Sequence, residues 1–354
     1  MPAATPDHAL IVFDGLLGPP NLAQLYEVSG NRYGANRIEN SELVTEAAVA
    51  GLSIISSKYS FSLGERDLLR LTAITDPQDP WTTAIAAATA SKLLTDQLTS
   101  QELTDFITSA VLQKLLKPLF MKSSARVTTS GRPSQYVNVE DGFWPPSEAQ
   151  TWKTQVPWVE ATIGWAVNTS STRLIQDHWP LFMPVLLALV EHNPIEVKTR
   201  GLKILKLFVG KCPDRVLQNT GIGRVFADVT FPLLLYLPNV TPEDQSIDIL
   251  APAYDVLVEL AESTGRPGNT ERRKLLDKLL RDGILAGYFH ASHHARIMEV
   301  LMQKTAAIVD CLGIYSTKHL KTLWIQNASN RPPKLDEVLE QEPRLAKLFT
   351  PAST

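Results

Sequence analysis

Three histidines, His290, His293 and His294, stand at the i, i+3, i+4 spacing that would bring imidazoles to one metal ion on a continuous helix. Their surroundings argue otherwise. Gly283, Gly287 and Ala291-Ser292 predict that one helix ends and another begins here, and the closest carboxylate is Glu299. A polar helix junction is the expectation, with no metal. Gly221-Ile222-Gly223 has two glycines of a phosphate-binding loop but no third, no following lysine and no preceding strand. A helix break or cap is expected there. No nucleophile elbow, H-E-x-x-H pair or P-loop occurs. The chain therefore reads as non-enzymatic and without cofactor.

The remaining chemistry is that of binding. No acidic residue occurs between Asp105 and Glu140, whereas Lys114, Lys117, Lys122, Arg126 and Arg132 do. Arg126 and Arg132 are candidates to dock an acidic or phosphate-bearing partner segment; the plainer reading is a solvated loop. Lys198, Lys203 and Lys206 fall mostly on the polar side of one helix, facing a partner or solvent. Trp158 and Trp165, seven apart, share a helical face, with Trp152 and Trp179 nearby. Interlayer core is the ordinary use of such residues. Trp165 and Trp179 are retained as partner candidates because tryptophan is enriched at binding hot spots.

At 354 residues the chain exceeds what one round core usually serves, about 250–300 residues, so it forms two domains or one elongated array. Its 44% hydrophobic and 20% charged residues are those of a folded protein. A net charge of −3 offers no bulk attraction for nucleic acid or membrane. The N-terminus lacks the basic start and long apolar run of a secretory signal. The most apolar stretch, Trp179 to Val190, is too short to span a bilayer. Cys212 and Cys311 are expected as free thiols in a reducing compartment, cytoplasm or nucleus.

Apolar residues recur at three- and four-residue spacing almost throughout, and the expected class is all-α. Leu43, Ala47, Ala50 and Ile54 mark one helical face; Leu68, Leu71 and Ile74 a second; Ile85, Ala88, Leu93 and Leu94 a third, entered through Asp79-Pro80. Thr99 and Glu102 form a capping box ahead of Leu103, Ile107, Val111, Leu115 and Leu119. An irregular basic loop, 122–148, then divides an N-terminal helical block, 1–121, from a C-terminal one, 149–354. In the second block, helical segments are predicted in pairs: Trp179 to Val190 with Glu196 to Val209, Arg215 to Leu237 with Glu243 to Glu262, Glu271 to Phe289 with Ala295 to Leu312, and Thr317 to Ile325 with Leu335 to Phe349. Each pair takes about 40 residues, the period of stacked helical hairpins, and an α-solenoid is expected. Prolines fall at helix starts (Pro194, Pro213, Pro242) or where kinks are expected (Pro184, Pro232, Pro252).

Val197, Lys198, Gly201 and Leu205 have the spacing of the second helix of a HEAT hairpin, and Ile249, Ala253 and Leu257 repeat it without the basic residue. The small residue lets the paired helix approach. A longer run is more specific: Trp165, Trp179-Pro180, Met183-Pro184-Val185-Leu186-Leu187, Lys198 and Gly201, Thr220-Gly221, Phe226, Leu235-Tyr236-Leu237-Pro238, and Ala253-Tyr254 with Leu257 and Leu260. Over residues 150–325 it resembles the family of second Tel-two-interacting proteins. It departs from that pattern after the leucine-rich helix, where Glu191-His192 replaces paired aspartates.

The resemblance implies a scaffold subunit of the TTT cochaperone complex. Such a subunit would bind the first Tel-two-interacting protein directly, and reach Tel-two and the phosphatidylinositol-3-kinase-related kinases (relatives of mTOR, ATM and ATR) through the complex. The Hsp-ninety machinery would be an indirect partner, and the DNA-damage response and telomere maintenance the settings. Two rivals are a HEAT-type adaptor of another assembly, such as a transport or phosphatase scaffold, and an all-helical enzyme.

Overall fold

The computed structural model describes residues 35–59, 61–120, 158–192, 195–265 and 269–319. Among them every regular element is helical. The N-terminal elements are α1 (Ala35–Tyr59), α2 (Glu65–Thr72), α3 (Ala84–Gln97) and α4 (Ser100–Asp105), which runs on into a π-helical stretch (Phe106–Leu116) and α5 (Lys117–Phe120). The capping box forms as its sequence demands: Thr99 accepts from the Glu102 backbone, and Glu102 accepts from the Thr99 backbone. Thr83, rather than Asp79-Pro80, caps α3.

Two of the expected faces are rotated. On α1 the buried residues are Thr45, Val49 and Leu52, while Leu43 and Ile54 are 64% and 66% exposed. Apolar residues are spread around the helix among Glu42, Glu46 and Ser53, so periodicity alone does not choose its inner face; α3 packs on the Val49 side and decides it. On α3, Ile85 is exposed and Ala86, Ala90, Leu93 and Leu94 are buried.

The later elements are α6 (Val159–Thr169), α7 (Thr172–Glu191), α8 (Ile195–Lys211), α9 (Asp214–Asn219), α10 (Ile222–Thr230) leading into a 3-10 turn (Phe231–Leu235), and α11 (Glu243–Glu262). Then follow α12 (Thr270–Lys278), a π-helical stretch (Leu279–Leu285), α13 (Ala286–Ala291), α14 (Ala295–Leu312) and a 3-10 turn (Gly313–His319). α11 and α14 have the predicted ends. The helix expected over 215–237 is instead broken at Gly221, whose φ of 77° is a left-handed conformation that glycine adopts without strain. Pro213 and Pro242 stand at N-caps, and Pro184 and Pro252 lie inside helices.

Helices α6, α8, α11 and α14 pack side by side in chain order, and α7 pairs with α8. One cluster of buried residues runs from Val49 to Leu312, through Phe182, Phe208, Phe226 and Tyr254. Between α6 and α8 the step is close to the expected 40 residues, Lys211 reaching Val167 and Ser170 across 44 and 41, and from α8 onward it is longer. Thr199 with Asp248, Lys304 with Asp255, and Cys311 with Glu262 all meet across 49 residues. The extra length sits in the intervening segments, where Gly221 breaks one helix and a π-helical stretch widens the next. Gly201 permits the α7–α8 contact: a Cβ there would lie 2.8 Å from the Leu189 Cβ and 3.0 Å from its carbonyl carbon. Residues 122–148, with the expected division between blocks, and the pair's last member, Leu335 to Phe349, lie outside the described residues.

Candidate partner-binding surface

The row α8–α11–α14 positions charges of alternating sign. On α8, Lys203 and Leu207 are exposed and Lys206 half-buried. On α11 the outward positions carry Glu243, Asp244, Asp248, Asp255 and Glu262. Asp255 bridges its neighbours, with Lys206 Nζ 3.5 Å from one oxygen and Lys304 Nζ 2.6 Å from the other. Arg296 pairs with Asp244, and His294 Nδ1 lies 3.3 Å from Glu243. Exposed pairs of this kind each contribute about 0–1 kcal/mol, so they set the register of the row more than its stability. Burial, reinforced by the charge of Glu262, pushes the Glu259 carboxyl up. The surface this makes is a band of basic, acidic and again basic character.

A second arrangement is buried and ties the N-terminal elements to the row. Arg200 on α8 donates to Asp76 at 2.6 Å and to both oxygens of Asp79, and Glu160 of α6 lies 3.6 Å away. Burial opposes the guanidinium charge, but the hydrogen bond and charges of Asp79, with Glu160 and Asp76, outweigh it and raise the Arg200 pKa. Burial likewise pushes the Asp79 carboxyl up, and Arg200 pulls it back. The neighbouring contacts are neutral: Thr72 and Thr162 share a hydrogen bond at 2.8 Å, and Trp81 Nε1 donates to the Ala73 carbonyl at 3.1 Å. Nothing in this cluster resembles a nucleophile with its base. Its chemistry is that of a clamp.

The model of the Tti2 family matches residues 68–328, most of the chain, including the clamp and the whole row. The chain belongs to the Tti2 family. No solved structure matches it. The matched region starts earlier than the resemblance at 150–325, and so takes in most of α2 and all of α3 to α5 as well. The family motif residues Met183, Phe226, Tyr254 and Leu257 are core residues with no exposed surface. They fill the space between helices.

The expected contact residues fall in different places. Trp165 is 8% exposed and meets Phe106 edge-to-face, with ring centroids 5.9 Å apart, so burial supports its core reading. Trp179 is half-buried at the edge of the core. Lys198 is buried, its Nζ 3.3 Å from the Tyr236 hydroxyl and 5.2 Å from the ring centre; it links α8 to the end of the 3-10 turn. Lys203 faces outward and Lys206 lies against Asp255. Arg126 and Arg132 lie outside the described residues. The sequence reading missed Arg200, Asp76, Asp79 and Glu160, because the arginine and the two aspartates are 121 and 124 residues apart.

The three histidines do not share one helix: His290 lies in α13 edge-on to Phe289, His293 lies in the turn that follows, and His294 stands at the N-cap position of α14 without a side-chain cap bond. No group of three or more metal-binding side chains occurs among the described residues. No helix among them is long and apolar enough to cross a membrane.

Proposed function

We propose that the chain is a non-catalytic scaffold subunit of the TTT complex, built as an α-solenoid of HEAT-like hairpins. In this reading it binds the first Tel-two-interacting protein, and through that complex meets Tel-two and the phosphatidylinositol-3-kinase-related kinases. It would thereby support their maturation by the Hsp-ninety machinery, in the cytoplasm or nucleus. The observation that carries it is the family match over residues 68–328. The side-by-side row α6–α8–α11–α14 is the geometry a solenoid requires.

The outward band on α8, α11 and α14 is the proposed docking face. Lys203 and Leu207 would contact the partner, with Lys206 beside them on α8, and Trp179 on α7 and Arg126 and Arg132 as further contacts, the arginines for an acidic segment. Trp165 and Lys198 would act by fixing helix positions. Co-expression with the C-terminal part of the cognate first Tel-two-interacting protein, followed by size-exclusion chromatography, tests the reading. One co-eluting species is expected, weakened by Lys203→Glu with Leu207→Glu at unchanged thermal stability. Separate elution of two folded proteins refutes the partner assignment.

A further inference from the structure

Two arginines near the end of the row have no carboxylate partner among the described residues. Arg272 and Arg273 follow one another in the first turn of α12, and both line a cleft of about 310 Å³ between α12 and the end of α14. Nη1 of Arg272 donates to the Gly265 carbonyl at 3.1 Å, while its Nε is buried without a hydrogen-bond partner. The Arg273 guanidinium lies 4.8 Å from the centre of the Tyr315 ring. A guanidinium held by Nη1 alone keeps its Nε–Nη2 edge for an anion, which that edge grips with two parallel bonds. Placed in a first turn, both arginines add to the positive end of the helix dipole.

The opposite wall is built by the chain as it leaves α14. Gly313 reverses its course at a φ of 54°, which glycine adopts freely. Lys318 and His319 then pin the 3-10 turn back on α12 through Asp277. The cleft is therefore shaped by bonds made outside it, which spares a ligand the cost of ordering its walls. Leu276 and Leu312 give it apolar surface and are themselves buried, whereas Ile314 is 78% exposed. Asp310 lines the same cleft, exposed and without an ion pair.

These groups describe a ligand. The guanidiniums require an anion, the aliphatic wall an apolar side chain beside it, and Asp310 a hydrogen-bond donor. Asp310 also repels a doubly charged group more strongly than a singly charged one. A peptide aspartate or glutamate next to an aliphatic residue supplies all of these, its backbone N–H being the donor. We propose that the cleft between α12 and the end of α14 binds an acidic peptide segment of a partner protein, with Arg272 and Arg273 on its carboxylate and Ile314 on the adjoining aliphatic side chain. The site uses neither Lys203 nor Leu207, so its failure and that of the docking face on α8 are separate results.

Immobilised pools of acetylated pentapeptides test it on the full-length chain, with aspartate, glutamate, asparagine, glutamine or phosphoserine at the centre and random flanks. The aspartate and glutamate pools are expected to bind and to select an aliphatic residue beside the acid; the amide pools are not. Arg272→Gln should weaken that binding about tenfold or more. Ile314→Asp, a change at an exposed position, should weaken it several-fold with the thermal transition retained. Bound peptide should also slow labelling of Cys311, which lines the cleft, by an aromatic disulfide reagent. Equal binding of acid and amide pools, full binding by both variants, or an unprotected Cys311 would each overturn the proposal. A preference for phosphoserine would overturn it too, and would assign the arginines to phosphate.

Discussion

Two glycines inside helices make opposite predictions for the same substitution. At Gly201 an added Cβ would lie 2.8 Å from the Leu189 Cβ, 3.0 Å from the Leu189 carbonyl carbon and 3.1 Å from the Val190 nitrogen. Carbon atoms rest comfortably at about 3.5–4.0 Å, so α8 would have to retreat by most of an ångström. Two of the three opposing atoms are backbone and cannot swing aside. The retreat would loosen Leu202, Leu205 and Val209, all of which are buried. Overpacking of this kind costs about 1–3 kcal/mol, against about 1 kcal/mol gained from the better helix propensity of alanine. Gly201→Ala should therefore destabilise by up to about 2 kcal/mol. At Gly51 in α1 nothing lies within 4 Å of the added atom, and Gly51→Ala should stabilise by about 0.5–1 kcal/mol. Thermal unfolding followed by circular dichroism reads both, at about 2–4 °C per kcal/mol for a large domain. If Gly201→Ala raises the midpoint as Gly51→Ala does, the helices do not approach as described and the packing argument fails.

Arg200→Met should cost about 3–5 kcal/mol, because Asp79 keeps its burial and loses its guanidinium; urea unfolding midpoints within error of the parent would contradict the clamp. Burial, then Asp214, pushes the Cys212 thiol up to about 12, leaving little thiolate at neutral pH. An aromatic disulfide reagent should therefore label the half-buried Cys311 first and Cys212 only on unfolding, and equal native rates would refute this. Burial pushes the Asp277 carboxyl up, but hydrogen bonds from Lys318 and His319 outweigh it and hold it below its ordinary 3.8. A depressed carboxyl stabilises above its unfolded value and loses that contribution as pH falls through the folded one. Hydrogen exchange in residues 313–319 should thus quicken, beyond its intrinsic pH dependence, as pH drops below about 4. Asp277→Asn should abolish that extra acceleration.

Much of the architecture was legible because it depends on near neighbours. The capping box at Thr99 and Glu102 is closed by residues three apart. The ends of α11 and α14 follow from Pro242, the histidine-rich junction and the apolar spacing between them. The close approach at Gly201 follows from a small residue placed among aliphatics at helical spacing. The family resemblance was legible in residues of which several, Met183, Phe226, Tyr254 and Leu257 among them, are core, while Leu235 is exposed.

Tertiary structure decided the rest. On α1 apolar residues lie on both faces among polar ones, and only the docking of α3 determines that Val49 turns inward and Leu43 outward. From α8 onward a 49-residue step replaced the expected 40, which holds between α6 and α8, because a π-helical stretch and a break at Gly221 lengthen what periodicity counts as single helices. Trp165 and Lys198 have residue types that suit a partner, yet Phe106 and Tyr236, 59 and 38 positions away in the chain, enclose them. Arg200 looks like any solvated arginine on α8 until Asp76 and Asp79 arrive from more than a hundred residues earlier. Sequence spacing carries contacts made within a helix or hairpin. Contacts between distant segments depend on how the helices stack, a property of the whole chain that no local pattern contains.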